Sequence, residues 1–285
     1  MASRILLGAL LGRRVWCAAP PTLGASRAYS SSPPVAGQGA PVGGADLAPE
    51  EPGGGIRPMY PSHTPLSAFQ KVAVAVGSAA GALYRPARAD LVGALGETTG
   101  EMAFTRMRDR MRNSEEGRRI LRDRPRILES TVGHCWDLPR STLGGAYAHF
   151  MGVRDFSPDD RPPVRFIDDE EVAYVAQRAR EVHDFWHTLF GVNTTVLGEL
   201  TLKWLEMVQT GLPMNVLSAL GAPIRLPAQD RAKLMGVYAP WAVQAGLRSR
   251  DLMSIYYEEH LDADVAELRL RWRVLQAPGE LGCPC

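Results

Sequence analysis

His183 and His187 stand four residues apart, so on a helix both imidazoles leave nearly the same face, one turn from each other. That is the spacing of two nitrogen ligands of one metal ion. Asp184 adjoins the first histidine and lies three residues before the second, from where its short carboxylate can reach the same point from the side. Glu199 follows His187 after eleven intervening residues and past a break at Gly191, a position from which its longer side chain can face back from a partner helix. The string H-D-x-x-H, eleven residues, E thus offers two nitrogen and two oxygen donors. Zinc suits such a set best. Iron or another divalent metal stays open on ligand type, while the histidine pair counts against magnesium, which prefers oxygen ligands and water.

Either histidine alone would be an ordinary, partly buried side chain. Together with two carboxylates on a helix-turn-helix they are costly to bury without a counter-charge, and a metal supplies one. A competing pattern is the His-Asp phosphohydrolase type, which would draw on His134 or His149 and on Asp262 or Asp264. The His-Asp dipeptide alone is weak evidence, and the second histidine with Glu199 fits the first pattern more economically.

The elements that must position these groups read as helices throughout. Asp168 and Asp169 precede Val172, Val175, Ala176, Ala179, Val182 and Trp186, whose three-and-four spacing predicts one amphipathic helix capped by the aspartates and stopped by Gly191. Asn193 or Thr194 is expected to cap the next helix, which runs through Gln209 to the Gly211-Leu212-Pro213 stop. Further helical patterns cover Asp90 to Leu95, Glu101 to Arg112, Ser114 to Leu121 behind an Asn113-Ser114 cap, Ser141 to Met151, Met214 to Leu220, Gln229 to Leu247 and Asp264 to Val274. Pro125 to Pro139 reads as a connection. No sustained two-residue alternation is present, so the fold class is all-α, a single helical domain.

Composition narrows the function. A formal net charge of +1 excludes the overall basic excess of a nucleic-acid binder. The basic run from Arg106 to Arg126 is interleaved with Asp109, Glu115, Glu116 and Asp123, which predicts a solvated helical face, with contact to anionic lipid as the lesser alternative. Cys17, Cys135, Cys283 and Cys285 show no pairing pattern and suit a reduced compartment. Leu66 to Leu83 carries Lys71 as its only charge, but its many small residues predict a closely packed internal helix rather than a membrane span.

The first 45 residues contain Arg4, Arg13, Arg14 and Arg27 and no acidic side chain, with an apolar face from Ile5 to Trp16. This is the composition of a mitochondrial presequence, and Arg27-Ala28-Tyr29-Ser30 places a matrix-processing cut after Tyr29. The expected organisation is a transit peptide over 1–29, a Pro/Gly-rich linker over 30–65, a helical domain over 66–275 that carries the metal string and a flexible tail over 276–285.

Beyond the metal string, the segments Pro163 to Glu171, Glu181 to Asp184, Leu197-Gly198-Glu199, Lys203-Trp204 and Gln209 to Met214 resemble the ubiquinone (coenzyme Q) biosynthesis protein four family. Leu138-Pro139, Thr142-Leu143-Gly144, Tyr147 and Phe150-Met151 are similar too, so the resemblance covers roughly residues 60 to 275. It implies peripheral attachment to the matrix side of the mitochondrial inner membrane and membership of a ubiquinone-synthesising complex, with the complex's other enzymes, a polyprenylated aromatic lipid and the membrane surface as partners. A homo-oligomer stays open. The implied chemistry is removal of the C1 carboxylate from a polyprenylated 4-hydroxybenzoate derivative, with or without hydroxylation at that carbon, carried by His183, Asp184, His187 and Glu199. The alternative implied role is a noncatalytic scaffold that binds the prenyl lipid and organises partner enzymes. For such a lipid the chain needs an apolar groove, which Leu66 to Leu83 and Leu212 to Leu220 are placed to line.

Overall fold

Helix punctuation decides the architecture. A computed structural model of the chain describes residues 58–85 and 88–281. The presequence with its cut after Tyr29, most of the linker, and Cys283 and Cys285 lie outside the described residues. Among the described residues there is no strand, only an isolated antiparallel bridge between Thr142 and Asp264.

The helices are α1 Ala68–Tyr84, α2 Ala89–Thr99, α3 Glu101–Arg112, α4 Glu115–Asp123, α5 Glu129–Val132, α6 Leu143–Gly152, α7 Glu170–Glu181, α8 His183–Phe190, α9 Val196–Thr210, α10 Pro213–Gly221, α11 Ala228–Lys233, α12 Ala239–Arg248 and α13 Val265–Arg271. Helix α1 packs on α2, α3 on α4 and α7, α6 on α8, and α9 on both α10 and α12.

Caps fall largely where residue type demands. The Ser114 hydroxyl accepts from Gly117 N, the Asp169 carboxylate from Val172 N, and Gly191 and Gly211 close α8 and α9 at φ 67° and 66°, a left-handed conformation that glycine adopts without a Cβ clash. The cap of α9 is Thr195, not Asn193 or Thr194: its hydroxyl accepts from Gly198 N at 3.1 Å, while Asn193 Oδ1 supports the cap by accepting from Thr195 Oγ1 at 2.6 Å. The long amphipathic helix expected up to Gly191 is broken in two. Val182, at φ −82° and ψ −8°, ends α7 and lets α8 set off in a new direction, with the Trp186 N to Val182 O bond stretched to 3.3 Å. The Gln229 to Leu247 pattern is interrupted by a π-helical turn, Leu234–Tyr238, directly before Pro240, whose missing N–H removes a normal helical bond at that point. Within the expected connection 125–139, α5 and a 3-10 turn at Gly133–Asp137 form instead of irregular chain.

Helix α8 is buried from Asp184 to Phe190, with His183 partly exposed at its start. Phe185, Leu189 and Phe190 are fully covered and Trp186 nearly so, each such burial contributing at most about 1.5–3 kcal/mol. The Tyr147 ring from α6 stacks on Phe185, and the Tyr257 ring stacks on Phe185 too, at 5.1 Å. Beneath α7 the fully buried Arg178 is held by both carboxylate oxygens of Glu258, at 2.9 and 3.1 Å, and by Ile255 O at 2.9 Å.

Three expectations are corrected here. Helix α1 is not internal: Ser78 is its sole buried residue, while Phe69, Val72, Val76, Leu83 and Tyr84 are exposed. Its Ala- and Gly-rich side lets it approach α2, Gly81 facing Leu91, and the larger apolar residues are left on the outside. Residues 60–64, placed in the linker, are docked, since Tyr60 Oη donates to Ile167 O, Ser62 Oγ to Val164 O and Thr64 N to Arg165 O, and the buried His63 meets Asp168 at 3.1 Å. At the other end, residues 276–281, placed in the tail, belt the α8–α9 turn: Ala277 N donates to Phe190 O, Asn193 N to Leu281 O and Trp241 Nε1 to Gln276 O.

The arginine-rich region behaves as a solvated, paired face. Arg108 and Arg112 meet Asp109 and Glu171, Arg110 meets Asp251, Arg119 meets Glu259, Arg124 meets Glu170 and Arg126 meets the buried Glu181.

Candidate metal centre

His183 opens α8, His187 lies one turn further along it, and Glu199 sits in the first turn of α9, so the tight turn at Gly191 folds the second helix back over the first. His183 Nε2 and His187 Nε2 are 3.1 Å apart, and the Glu199 oxygens lie 3.3 Å from His187 Nε2 and 3.7 Å from His183 Nε2. Donors bound to one tetrahedral zinc at about 2.0–2.1 Å stand about 3.3 Å from one another. The three donor atoms therefore already hold ligand spacing.

The ring tautomers point the same way. His187 Nδ1 lies 2.9 Å from Val192 O, which can only accept, so in the neutral ring Nδ1 carries the proton and Nε2 the lone pair. His183 Nδ1 lies 2.6 Å from a Glu206 oxygen. Burial pushes the Glu206 carboxyl up, but Lys203, 2.6 Å from its other oxygen, and His183 outweigh this and bring it down to about 2. Glu206 is thus ionised and accepts from His183 Nδ1. Two lone-pair nitrogens and a carboxylate facing one another need a cation between them, and a divalent metal fits that demand.

Electrostatics within the metal-free cluster agree. Burial pushes His187 down, yet the adjacent Glu199 carboxylate raises it on balance. Burial likewise pushes the Glu199 carboxyl up, and His187 and His183 reverse this and hold it well below the usual carboxylate range. Exposure is graded across the group: 1% for the His187 side chain, 14% for His183 and 33% for Glu199. One side of the donor set is closed by the core, including the Phe150 ring stacked on His187 at 5.3 Å, and the other opens outward.

The structure brings together three of the four residues expected to bind metal. Asp184 is not with them. One residue on from His183 it projects about 100° around the helix from the shared histidine face, and its buried carboxylate forms an ion pair with Arg161 from the loop before α7. Of the alternative phosphohydrolase set, Asp264 caps α13, accepting from Ala266 N and Glu267 N, and is spent on that helix. Glu206 and Arg161 were not among the expected site residues. Glu206 had a readable signal, since seven residues beyond Glu199 is two turns along the same face of α9.

Glu206→Gln is expected to lower metal affinity about 10–100-fold, because it removes the charge that orients and polarises His183 while leaving the three donors in place. Competition titration against a chelator of known affinity measures this directly.

An all-helical protein with a two-histidine, one-carboxylate group able to hold a metal ion is what fold and site define. The family model described as "Coenzyme Q (ubiquinone) biosynthesis protein Coq4" matches residues 60–278. The chain is 50% identical over 217 residues to the human ubiquinone biosynthesis protein COQ4 homolog, mitochondrial, covering 75% of this chain and 82% of that one. It is 49% identical over 222 residues to the Bos taurus homolog of the same name, covering 77% and 84%. A crystal structure from Nostoc punctiforme PCC 73102, described as a candidate ubiquinone biosynthesis protein, shares the fold at a TM-score of 0.57 and 20% identity, over 72% of this chain and 96% of that one. The chain belongs to the Coq4 family of coenzyme Q biosynthesis proteins.

Proposed function

We propose that this protein removes the C1 carboxylate of a polyprenylated 4-hydroxybenzoate derivative, using a divalent metal held by His183, His187 and Glu199. The observation that carries this reading is the donor set itself: three protein ligands with one open side. A structural zinc site is normally closed by four protein ligands, whereas two histidines and a glutamate leave a position for water or substrate. The same two-histidine, one-carboxylate set also serves non-haem iron, which makes iron the alternative where an oxygen atom replaces the carboxylate.

In this reading a metal held by His183, His187 and Glu199 would supply fixed positive charge toward an anionic ligand, and as iron it would also supply redox capacity. The chain's own residues do the rest. Glu206 and Val192 O hold the two imidazoles with their lone pairs inward. Phe150 stacks on the inner side of His187, and the partly exposed Glu199 marks the edge from which a ring would approach. In the simple decarboxylation the C1–carboxylate bond breaks, carbon dioxide leaves, the electron pair stays on C1 and a proton takes it up.

Purified protein loaded separately with zinc and with iron should release carbon dioxide from a short-chain prenylated 4-hydroxybenzoate. No release with either metal, coupled with metal-dependent recovery of partner enzymes, would replace this reading by the scaffold.

Relatives are named mitochondrial, and among the described residues no helix is long and apolar enough to cross a membrane. The proposed location is the matrix face of the inner membrane, beside the other enzymes of ubiquinone synthesis. Support comes from α1 and α10, which both pack on α2 and leave Phe69, Val72, Val76, Leu217 and Leu220 outside, an apolar surface suited to lipid. Replacing both Val72 and Val76 by Glu should cut binding to vesicles of inner-membrane composition at least about fivefold, since each charge opposes insertion, with the melting temperature unchanged because neither side chain is buried. Undiminished sedimentation with vesicles would remove α1 from the contact surface.

A further inference from the structure

Arg161 occupies an unusual position for an arginine. It lies between a 3-10 turn, Pro158–Asp160, and Pro162-Pro163, whose rings fix the backbone on its far side. Its Nη2 donates to Asp184, a carboxylate only 4% exposed, while 30% of the arginine side chain reaches solvent. Among the described residues Asp184 is the only hydrogen-bond acceptor that meets it, so most of its five N–H donors are uncommitted.

Asp184 directly follows His183 on α8, so the guanidinium that pairs with it is anchored to the first turn of the helix that carries both histidines. The group is therefore tied to the donor cluster through one residue of that helix and is not a remote surface charge. With a divalent ion on the two neutral imidazoles, the charges of Arg161, Lys203, Asp184, Glu199 and Glu206 leave a single net positive charge. A monoanionic ligand completes that balance. An arginine fork is the side chain best matched to a planar carboxylate, and it stays charged at any working pH.

We propose that Arg161, held in place by Asp184, is the residue that recognises the carboxylate of an aromatic acid entering this site. The inference rests on the proposed decarboxylation for the identity of the acid, but not for the existence of the anion-binding position. It also assigns Asp184 a positioning role instead of metal ligation. A guanidinium on the carboxylate holds the acid in place through the reaction and is not aimed at the ring carbon that receives the electron pair, so it binds ground and transition states about equally. Its contribution therefore belongs to binding and selectivity, and to KM more than to kcat.

The test compares Arg161→Gln, Arg161→Lys and the double variant Arg161→Gln with Asp184→Asn, the last leaving no buried charge unpaired should the single glutamine variant fail to fold. Binding of a short-chain prenylated 4-hydroxybenzoate, and of the same phenol without its carboxylate, is measured by calorimetry on metal-free and zinc-loaded protein. Acid affinity should fall about tenfold or more in both glutamine variants, and less in the lysine variant, with phenol affinity unchanged. In turnover, KM should rise by a similar factor with kcat within about threefold. Equal binding of acid and phenol by the parent protein, or acid affinity retained in a folded glutamine variant, overturns the assignment. Arg161-dependent acid binding without carbon dioxide release upholds the recognition site and defeats the decarboxylase reading. Carbon dioxide release with an unchanged KM in Arg161→Gln does the reverse.

Discussion

Replacing His187 or Glu199 by Ala is expected to strip the metal and lower turnover by at least about a hundredfold while the helical fold persists. Each substitution removes one of three donors, and losing even an outer partner of a ligand typically costs about 10–100-fold. Metal content by atomic spectrometry, melting temperature and product formation on the same samples decide it; turnover by a demonstrably metal-free variant would defeat the mechanism. Acid should mimic the substitution, because protons and metal compete for the lone pair on His187, whose proton affinity the Glu199 carboxylate raises. The metal-free protein should respond to pH in a specific way. His187, raised on folding, stabilises below its unfolded pKa of about 6.5, and that contribution is lost as pH rises through the folded value. Glu199, lowered on folding, stabilises above its unfolded pKa of about 4.3, and that contribution is lost as pH falls through the folded value. The pair thus supports the metal-free fold best between about pH 4.3 and 6.5, and the extra melting temperature conferred by metal should grow as pH rises above that window.

Arg178→Ala is expected to destabilise the whole domain by about 3–5 kcal/mol without touching the candidate site. The guanidinium is fully buried, grips both oxygens of Glu258 and also serves Ile255 O, so truncation leaves a largely buried carboxylate with no counter-charge and a carbonyl with no donor. Nε of the same side chain has no acceptor, so the pair is not ideally satisfied even in the parent. Chemical denaturation should show the loss, and replacing Arg178 and Glu258 together by apolar residues should recover much of it, since the cost lies in the orphaned charge and not in the absence of the pair. A fall below about 1 kcal/mol for Arg178→Ala would mean that water reaches Glu258.

Local chemistry made much of this legible in advance. Two histidines one turn apart, a glutamate behind a glycine stop, and caps at Ser114, Asp169, Gly191 and Gly211 all follow from side-chain reach and backbone freedom within a few residues. The features that escaped depend on distant chain. Asp184 looks like a ligand until Arg161, 23 residues earlier in an irregular loop, takes its carboxylate. Helix α1 has the small, apolar composition of a core segment, and only the placement of α2 against its Gly81 side reveals that Phe69, Val72 and Val76 face outward. The division at Val182 involves neither glycine nor proline, so no residue type announced it. Glu206 was readable by helical spacing, but Lys203, which keeps it ionised in a buried place, had to be seen beside it.

The belt formed by residues 276–281 bears on when the site comes into being. Phe190 O and Asn193 N, on either side of the Gly191 turn that folds Glu199 back toward the histidines, find their partners in Ala277 and Leu281. Arg269, from α13, adds donors to Leu189 O and Thr188 O at the end of the helix that carries both histidines. Those partners are made some eighty residues after the carbonyls they satisfy. A nascent chain that has completed both histidines and Glu199 therefore still lacks the backbone bonds that fasten the turn between them. The geometry of the candidate centre is thus fastened by a segment made some eighty residues later, so the turn is secured by the arrival of that segment rather than by the appearance of the two histidines and the glutamate.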